Sequence, residues 1–287
     1  MFKSLSPGAI GIRGLSLAES LQIARETGFD GLEFSIHEAA ALADAQSVDA
    51  VRALFDSTGV RPGGWGLPVA WTDDNRWQQD LKELPRLAAV GRELGATRTA
   101  TWCLSFSEER PFRENFTWHV DRFRPIAQAL ADEGCRFGIE FIGPKTLRNG
   151  HRYEFIYTLE GMMELAHAIG TGNVGLLLDA YHLYTSGGSL DDLDKISAQD
   201  VVTVHVNDAP EGVPVDEQLD QVRRLPMETG VIDLPGFIRK LNQMGYDGPV
   251  MAEPFSAPLN EIAPKDPRRA AQMTADAMNR MWQAAGL

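Results

Sequence analysis

The chain of 287 residues predicts an α/β fold of the closed (β/α)8 type, and three observations carry that prediction. Short β-rich apolar runs alternate with longer stretches whose apolar residues recur at helical spacing. A glycine marks the end of most helical stretches, and the next apolar run follows at once. Strict alternation of this kind means a parallel sheet, either closed into a barrel or open and doubly wound. The length suits one unit, because barrels of this class commonly take about 250 residues. We therefore read 1–287 as one domain.

Taken in order, the first candidate strand is GAIGI at 8–12, followed by the helical stretch SLAESLQIARETG. Ser16 is its expected N-cap, and Glu19 completes a capping box. A loop and a fresh N-cap separate this strand from its helix. A dinucleotide-binding glycine fingerprint would instead run straight into the helix, so the closed barrel is favoured over the open sheet. Further strands are read at 31–36, 61–68, 97–102, 136–141, 174–180, 201–207 and 249–254. Their near-continuous hydrophobicity fits parallel strands covered on both faces. Gly28, Gly59, Gly95, Gly134, Gly170 and Gly245 fall between a helical stretch and the next strand, where a left-handed terminal residue is easiest for glycine. The longest irregular stretches all follow predicted strands: 65–77, 103–117, 141–154, 181–189, 207–230 and 254–268. Long loops in that position wall the active site of a barrel.

The net charge of -13 disfavours a polyanionic partner, since nucleic-acid binding needs a basic stripe to displace counterions. No apolar run approaches the roughly 18 residues that would span a bilayer, and the N-terminal segment lacks an export-type apolar core. The expectation is a cytoplasmic protein acting on a small molecule, without nucleic acid or membrane as partner. Cys103 and Cys135 are too few and too widely spaced for a disulfide framework or a zinc ribbon, and read as buried thiols.

Four apolar runs in the second half each end in a potential metal ligand: Glu140, Asp179, His205 and Glu253. Any one of them is more often structural or solvated. Together, three carboxylates at the ends of buried strands would concentrate negative charge in a partly desolvated cavity unless a cation neutralised it. One divalent ion is the economical answer. The oxygen-rich donor set favours Mn²⁺, with Mg²⁺, Co²⁺ or Zn²⁺ also accepted by the same ligands.

These motifs make a resemblance specific. IEF at Glu140, LDAYH from Asp179, HVND from His205, ETGVID from Glu228 and AEPF at Glu253 resemble the sugar isomerase and epimerase superfamily with a xylose isomerase-like TIM barrel. That group includes ketose 3-epimerases, hydroxypyruvate isomerases and inosose dehydratases. The likeness implies that Glu140, Asp179, His205 and Glu253 bind one divalent metal, with His182 and Arg223 contacting substrate oxygens. It departs from the usual pattern in two places. Arg223 lies beyond an acidic insertion rather than close after the metal histidine, and the common Gly-Glu-Gly turn reads Met227, Glu228, Thr229, Gly230. Glu228 is thus open between a site residue and a solvated one. Relatives often assemble as dimers or tetramers, which leaves a homo-oligomer as an open expectation.

The implied chemistry is proton removal beside a carbonyl, needing a base at carbon and a Lewis acid at oxygen. Glu140 and Glu253 are the expected acid and base, acting on a ketose or polyol ketone through an enediolate. His37, Trp65, Trp102 and Phe255 are candidates for shaping the substrate pocket, because aromatic faces pack against sugar carbons and imidazole reaches hydroxyls; core packing is the plain alternative for each. The acidic seventh loop and the glycine-free PFSAPLNE segment offer no phosphate cradle, so a non-phosphorylated substrate is expected. The alternative is a lyase or dehydratase of the same scaffold, which shares the first proton abstraction. An apurinic endonuclease is disfavoured by the acidic chain and the lack of further histidines at strand ends, and a non-catalytic sugar-binding protein is the remaining reading.

Overall fold

The structure, a computed structural model, describes residues 1–287. Eight parallel strands close into a barrel: β1 (Phe2–Leu5), β2 (Gly31–Glu33), β3 (Arg61–Gly66), β4 (Arg98–Cys103), β5 (Arg136–Phe141), β6 (Val174–Asp179), β7 (Val201–Val206) and β8 (Pro249–Ala252). Each strand pairs with its neighbours in sequence, and β1 closes the ring on β8 with Phe2 opposite Pro249. Helices return the chain along the outside between strands, as parallel pairing requires.

The first strand differs from the sequence reading. GAIGI folds as a 3-10 turn, Gly8–Ile10, and the strand is the preceding FKSL. Pro7 has no N–H to give a ladder, and Gly11 ends the turn at φ 83°, so this segment bends instead of pairing. Its isoleucines still enter the core, as Ile10 and Ile12 are both buried. The other seven strands occupy the expected runs, and six helices of the outer ring run into the expected glycines, all six in the left-handed region. Ser16 and Glu19 form their capping box, and Gly28, Gly59 and Gly170 close their helices in the left-handed region.

The core lies in two shells: the strands' outward faces against the helices, and a narrow barrel interior. Small residues fill the interior where strands come closest. A Cβ on Gly63, for example, would sit 2.2 Å from Ser4 Oγ and 3.0 Å from the Leu32 carbonyl oxygen. Both cysteines are buried and unpaired, as expected. At the carboxyl end, a two-stranded antiparallel ribbon ties the loop after β4 (Phe106–Ser107) to the loop after β5 (Tyr153–Glu154). No helix is long and apolar enough to cross a membrane.

Candidate active site

Neighbouring strands deliver the four expected ligands to one level. Glu140 and His205 are the penultimate residues of β5 and β7, Asp179 is the last of β6, and Glu253 follows β8 directly. Trp102 on β4 is in register with Glu140, and Asp179 with His205. The Glu253 N–H donates to the Val206 carbonyl at 3.2 Å, which carries the ladder one residue past β8. One candidate ligand atom from each of Glu140, Asp179, His205 and Glu253 lies within 4.8 Å of the others. Asp179 also caps the helix Ala180–Thr185, accepting from the Tyr181 N–H at 2.6 Å, which fixes the carboxylate and places His182 within the first turn.

Two buried atoms at this level have no hydrogen-bond partner: Glu140 Oε1 and His205 Nδ1. His205 Nδ1 stands 3.6 Å from Glu140 Oε1 and 3.4 Å from Glu253 Oε2. Buried polar atoms in folded proteins are nearly always paired, so two orphans facing one centre fit a bound cation. The residues therefore suit a divalent metal. Charge crowding has the consequences expected of such a cluster. Burial, with Glu253 nearby, raises Glu140 to about 8. Burial alone would lower His205, but Glu253 and Glu140 outweigh it and hold the imidazole well above its ordinary value. For Glu253 burial acts upward, yet His205 and Arg223 bring its carboxyl down.

Arg223 is fully buried among these carboxylates. Its Nη1 donates to Asp179 Oδ2 at 2.9 Å and to Glu253 Oε2 at 3.0 Å. Nη2 donates to Asp220 Oδ1 at 2.8 Å and faces His182 Nε2 at 3.0 Å, while Nε donates to the Asp220 carbonyl at 2.9 Å. The rings of Tyr181 and Phe255 each lie 4.7 Å from the guanidinium carbon. A guanidinium has five N–H donors; four of these reach oxygen acceptors, and the fifth faces His182 Nε2. Arg223 thus serves the carboxylates as a counter-ion while also lining the cavity at their mouth. His182 Nδ1 receives the Gly143 N–H at 3.1 Å, and burial, aided by Arg223, lowers its pKa to about 3. A neutral imidazole accepts at one nitrogen only. With Nδ1 taken by Gly143, the proton sits on Nε2, pointing at the cavity beside another donor from Arg223.

The structure separates the remaining candidates. Trp102, 42% exposed, lines the cavity over Glu140, and so does Phe255, whose backbone is held at φ 38°. Trp65 is buried in the core, its Nε1 donating to the Ala96 carbonyl at 2.8 Å, because its side chain points into the helix layer. His37 is exposed on the helix Ile36–Ala45, outside the cavities at the barrel mouth. Glu228 is exposed and accepts the Leu225 N–H at 2.9 Å, so it braces its own turn. In that turn Met227 takes the left-handed conformation, φ 64°. Lys145 pairs with Asp216 at 2.5 Å on the surface.

Several working residues escaped the sequence reading. Asn207 Nδ2 donates to both Asp179 oxygens at 3.2 and 3.3 Å. Asp208 accepts four backbone N–H groups, from Ala209 and Ile232 on Oδ1 and from Thr229 and Gly230 on Oδ2. It thereby latches the long loop that carries Arg223. The HVND motif contained both residues, but their partners lie up to 28 positions away in sequence.

Residues 21–280 match the model of a family described as the xylose isomerase-like TIM barrel. An inosose isomerase of Halalkalibacterium halodurans is 21% identical over 262 residues, 90% of each chain. A ketose 3-epimerase of Arthrobacter globiformis is 26% identical over 253 residues, covering 85% of this chain and 79% of the relative. Among solved structures, a xylose isomerase domain protein of Alicyclobacillus acidocaldarius superposes over 100% of both chains, with a TM-score of 0.86 and 31% identity.

Proposed function

Since the chain belongs to the xylose isomerase-like TIM barrel family, we propose that it is a metal-dependent enzyme that epimerises or isomerises a non-phosphorylated ketose or related polyol ketone. The observation that carries this reading is the convergence of four ligand atoms within 4.8 Å at the barrel mouth, two of them from groups with orphaned buried atoms. Glu140, Asp179, His205 and Glu253 would hold the ion, with Mn²⁺ favoured by the three carboxylates. When bound, a divalent ion supplies Lewis-acid polarisation of a carbonyl.

The protein groups do the rest. Glu140 and Glu253 reach the cavity from strands on either side of β6 and β7, so one carboxylate removes the proton next to the carbonyl and the other returns one from the opposite face. The proton passes from carbon to a carboxylate oxygen, leaving an enediolate. His182 donates from Nε2 to a substrate oxygen. Trp102 packs against the carbon face of the substrate. The carboxylate of Asp220, in the cavity wall after β7, opposes a phosphate group.

Metal analysis of the purified protein, followed by proton-exchange NMR in deuterated water on free ketoses and inososes, tests this assignment. Glu140→Gln and Glu253→Gln are each expected to slow exchange by about 10²-fold or more. Wild-type exchange in either variant with metal bound refutes the acid–base pair. The same spectra separate inversion from loss of water, so a lyase would reveal itself by its product.

A further inference from the structure

Two cavities meet at the reactive carboxylates, and they differ in chemistry. Trp102, Glu140, Glu253 and Phe255 line both. On the β1 and β2 side, a cavity of about 380 Å³ is lined by Ser6, Arg13, Glu33, Thr101 and Thr203. Ser6 donates to the Glu33 carboxylate, and Thr203 Oγ1 is buried without a partner, so this lobe offers polar groups to a hydroxylated ligand. On the other side the loops after β5 and β7 border about 710 Å³, and there Leu104, Ile142, Leu147, Leu219 and Val222 make an apolar wall beside the polar Thr146, Asp220, Gln221 and Arg223.

Large apolar side chains are rarely left in water without a reason when they cluster in a concave site. Of the five that this chain leaves exposed, Trp102 (42%), Leu219 (52%) and Val222 (41%) all stand on this wall. Their exposure is not looseness of the loop. Tyr181 Oη donates to the Leu219 carbonyl at 2.8 Å, Thr146 Oγ1 donates to the Gln218 carbonyl at 2.6 Å, and Asp208 latches the loop's far end. A six-carbon ketose fills on the order of 200 Å³, judged against roughly 30 Å³ for one water. It would fit the polar lobe and leave the apolar wall of the larger one uncovered.

We propose that the substrate is amphiphilic: a polyol ketone head seated in the polar lobe, with an alkyl or aryl group on one side of the reacting carbon extending into the apolar lobe. The head rests on the function proposed above; the arm rests on the wall alone.

Two ketols sharing the same metal-chelating head separate the two. Calorimetric titration of the full, Mn²⁺-loaded protein with hydroxyacetone and with hydroxymethyl phenethyl ketone compares a bare head with one carrying a phenyl arm. The arm is expected to tighten binding at least about tenfold, equivalent to ~1.4 kcal/mol. In the double variant Leu147→Ser, Leu219→Ser that advantage falls below about threefold, whatever the affinity of the head. Equal affinity of the two ketols, binding of neither, or an advantage that survives the double variant overturns the proposal. Sedimentation adds one more outcome: a dimer that dissociates in the double variant, with no gain from the phenyl group, assigns the wall to a second copy and overturns it too. Metal binding and proton exchange on ketoses, retained while the arm proves inert, would sink the amphiphilic substrate and leave the enzymatic reading intact.

Discussion

His119 shows how one buried residue writes itself into the pH response of the whole chain. It packs among Trp71, Trp118, Phe123 and Phe155, with Nδ1 2.8 Å from the Asn115 carbonyl. Burial lowers its pKa to about 4, against an ordinary 6.5. The unfolded chain therefore takes up a proton below pH 6.5 that the folded protein refuses until about pH 4. The stabilisation is complete above pH 6.5 and is lost as pH falls through that window, by about 2 kcal/mol between pH 7 and pH 5. His119→Phe should remove that share of the acid slope. Urea unfolding of both proteins at the two pH values checks it; parallel losses would show that the ring is not held neutral. Arg223 makes the complementary point about charge. Its guanidinium is tolerable in the core only because Asp179, Asp220 and Glu253 surround it, and they in turn depend on it.

Among the elements, the loop after β7 shapes the candidate site most, since it carries Arg223, Asp220, Leu219 and Val222 of the larger cavity. A loop this long is held by local hydrogen bonds rather than by a strand ladder. Asp208 supplies them, and its backbone forms an isolated bridge with Arg224, 2.9 Å in one direction and 2.8 Å in the other. Asp208→Ala strands four buried or half-buried N–H groups and is expected to cost about 3 kcal/mol. Hydrogen exchange should quicken across 209–232 while the strands stay protected, and turnover should fall at least tenfold as Arg223 loses its place. Unchanged exchange in the loop would mean that the latch is dispensable. Part of this element was legible beforehand: its length and acidity marked it as a site wall. The latch was not, because an aspartate beside a metal histidine looks the same in sequence whether it binds an ion, a substrate or its own backbone.

For the whole molecule, the candidate ligand set spans four strands from Glu140 to Glu253, so a bound ion would cross-link segments that the barrel alone holds together. Metal at about 100 times its dissociation constant should stabilise the fold by about 2.7 kcal/mol, raising the melting temperature on the order of 5 °C. Thermal unfolding with Mn²⁺, Mg²⁺, Co²⁺ and Zn²⁺, each against a chelated control, ranks the ions. Asp179→Asn should blunt the shift; an equal rise in that variant would place the ion elsewhere. The net charge of -13 adds to the effect, because a divalent cation relieves self-repulsion where carboxylates crowd most.

Periodicity and punctuation along the chain determined the barrel. Parallel strands must be apolar on both faces, helices must end where a left-handed residue is tolerated, and both demands are local enough to read along the chain. The convergent acids and imidazole, Glu140, Asp179, His205 and Glu253, were legible for the same reason, each ending its own buried run. Tertiary structure alone decided how those groups are paired. It turned the GAIGI run into a bend, withdrew Trp65 into the core and His37 and Glu228 to the surface, and closed Arg223 upon the carboxylates. It also set a polar lobe against an apolar one across Glu140 and Glu253. Such outcomes depend on distances between residues far apart in the chain, and a burial pattern that repeats every few positions carries no record of them.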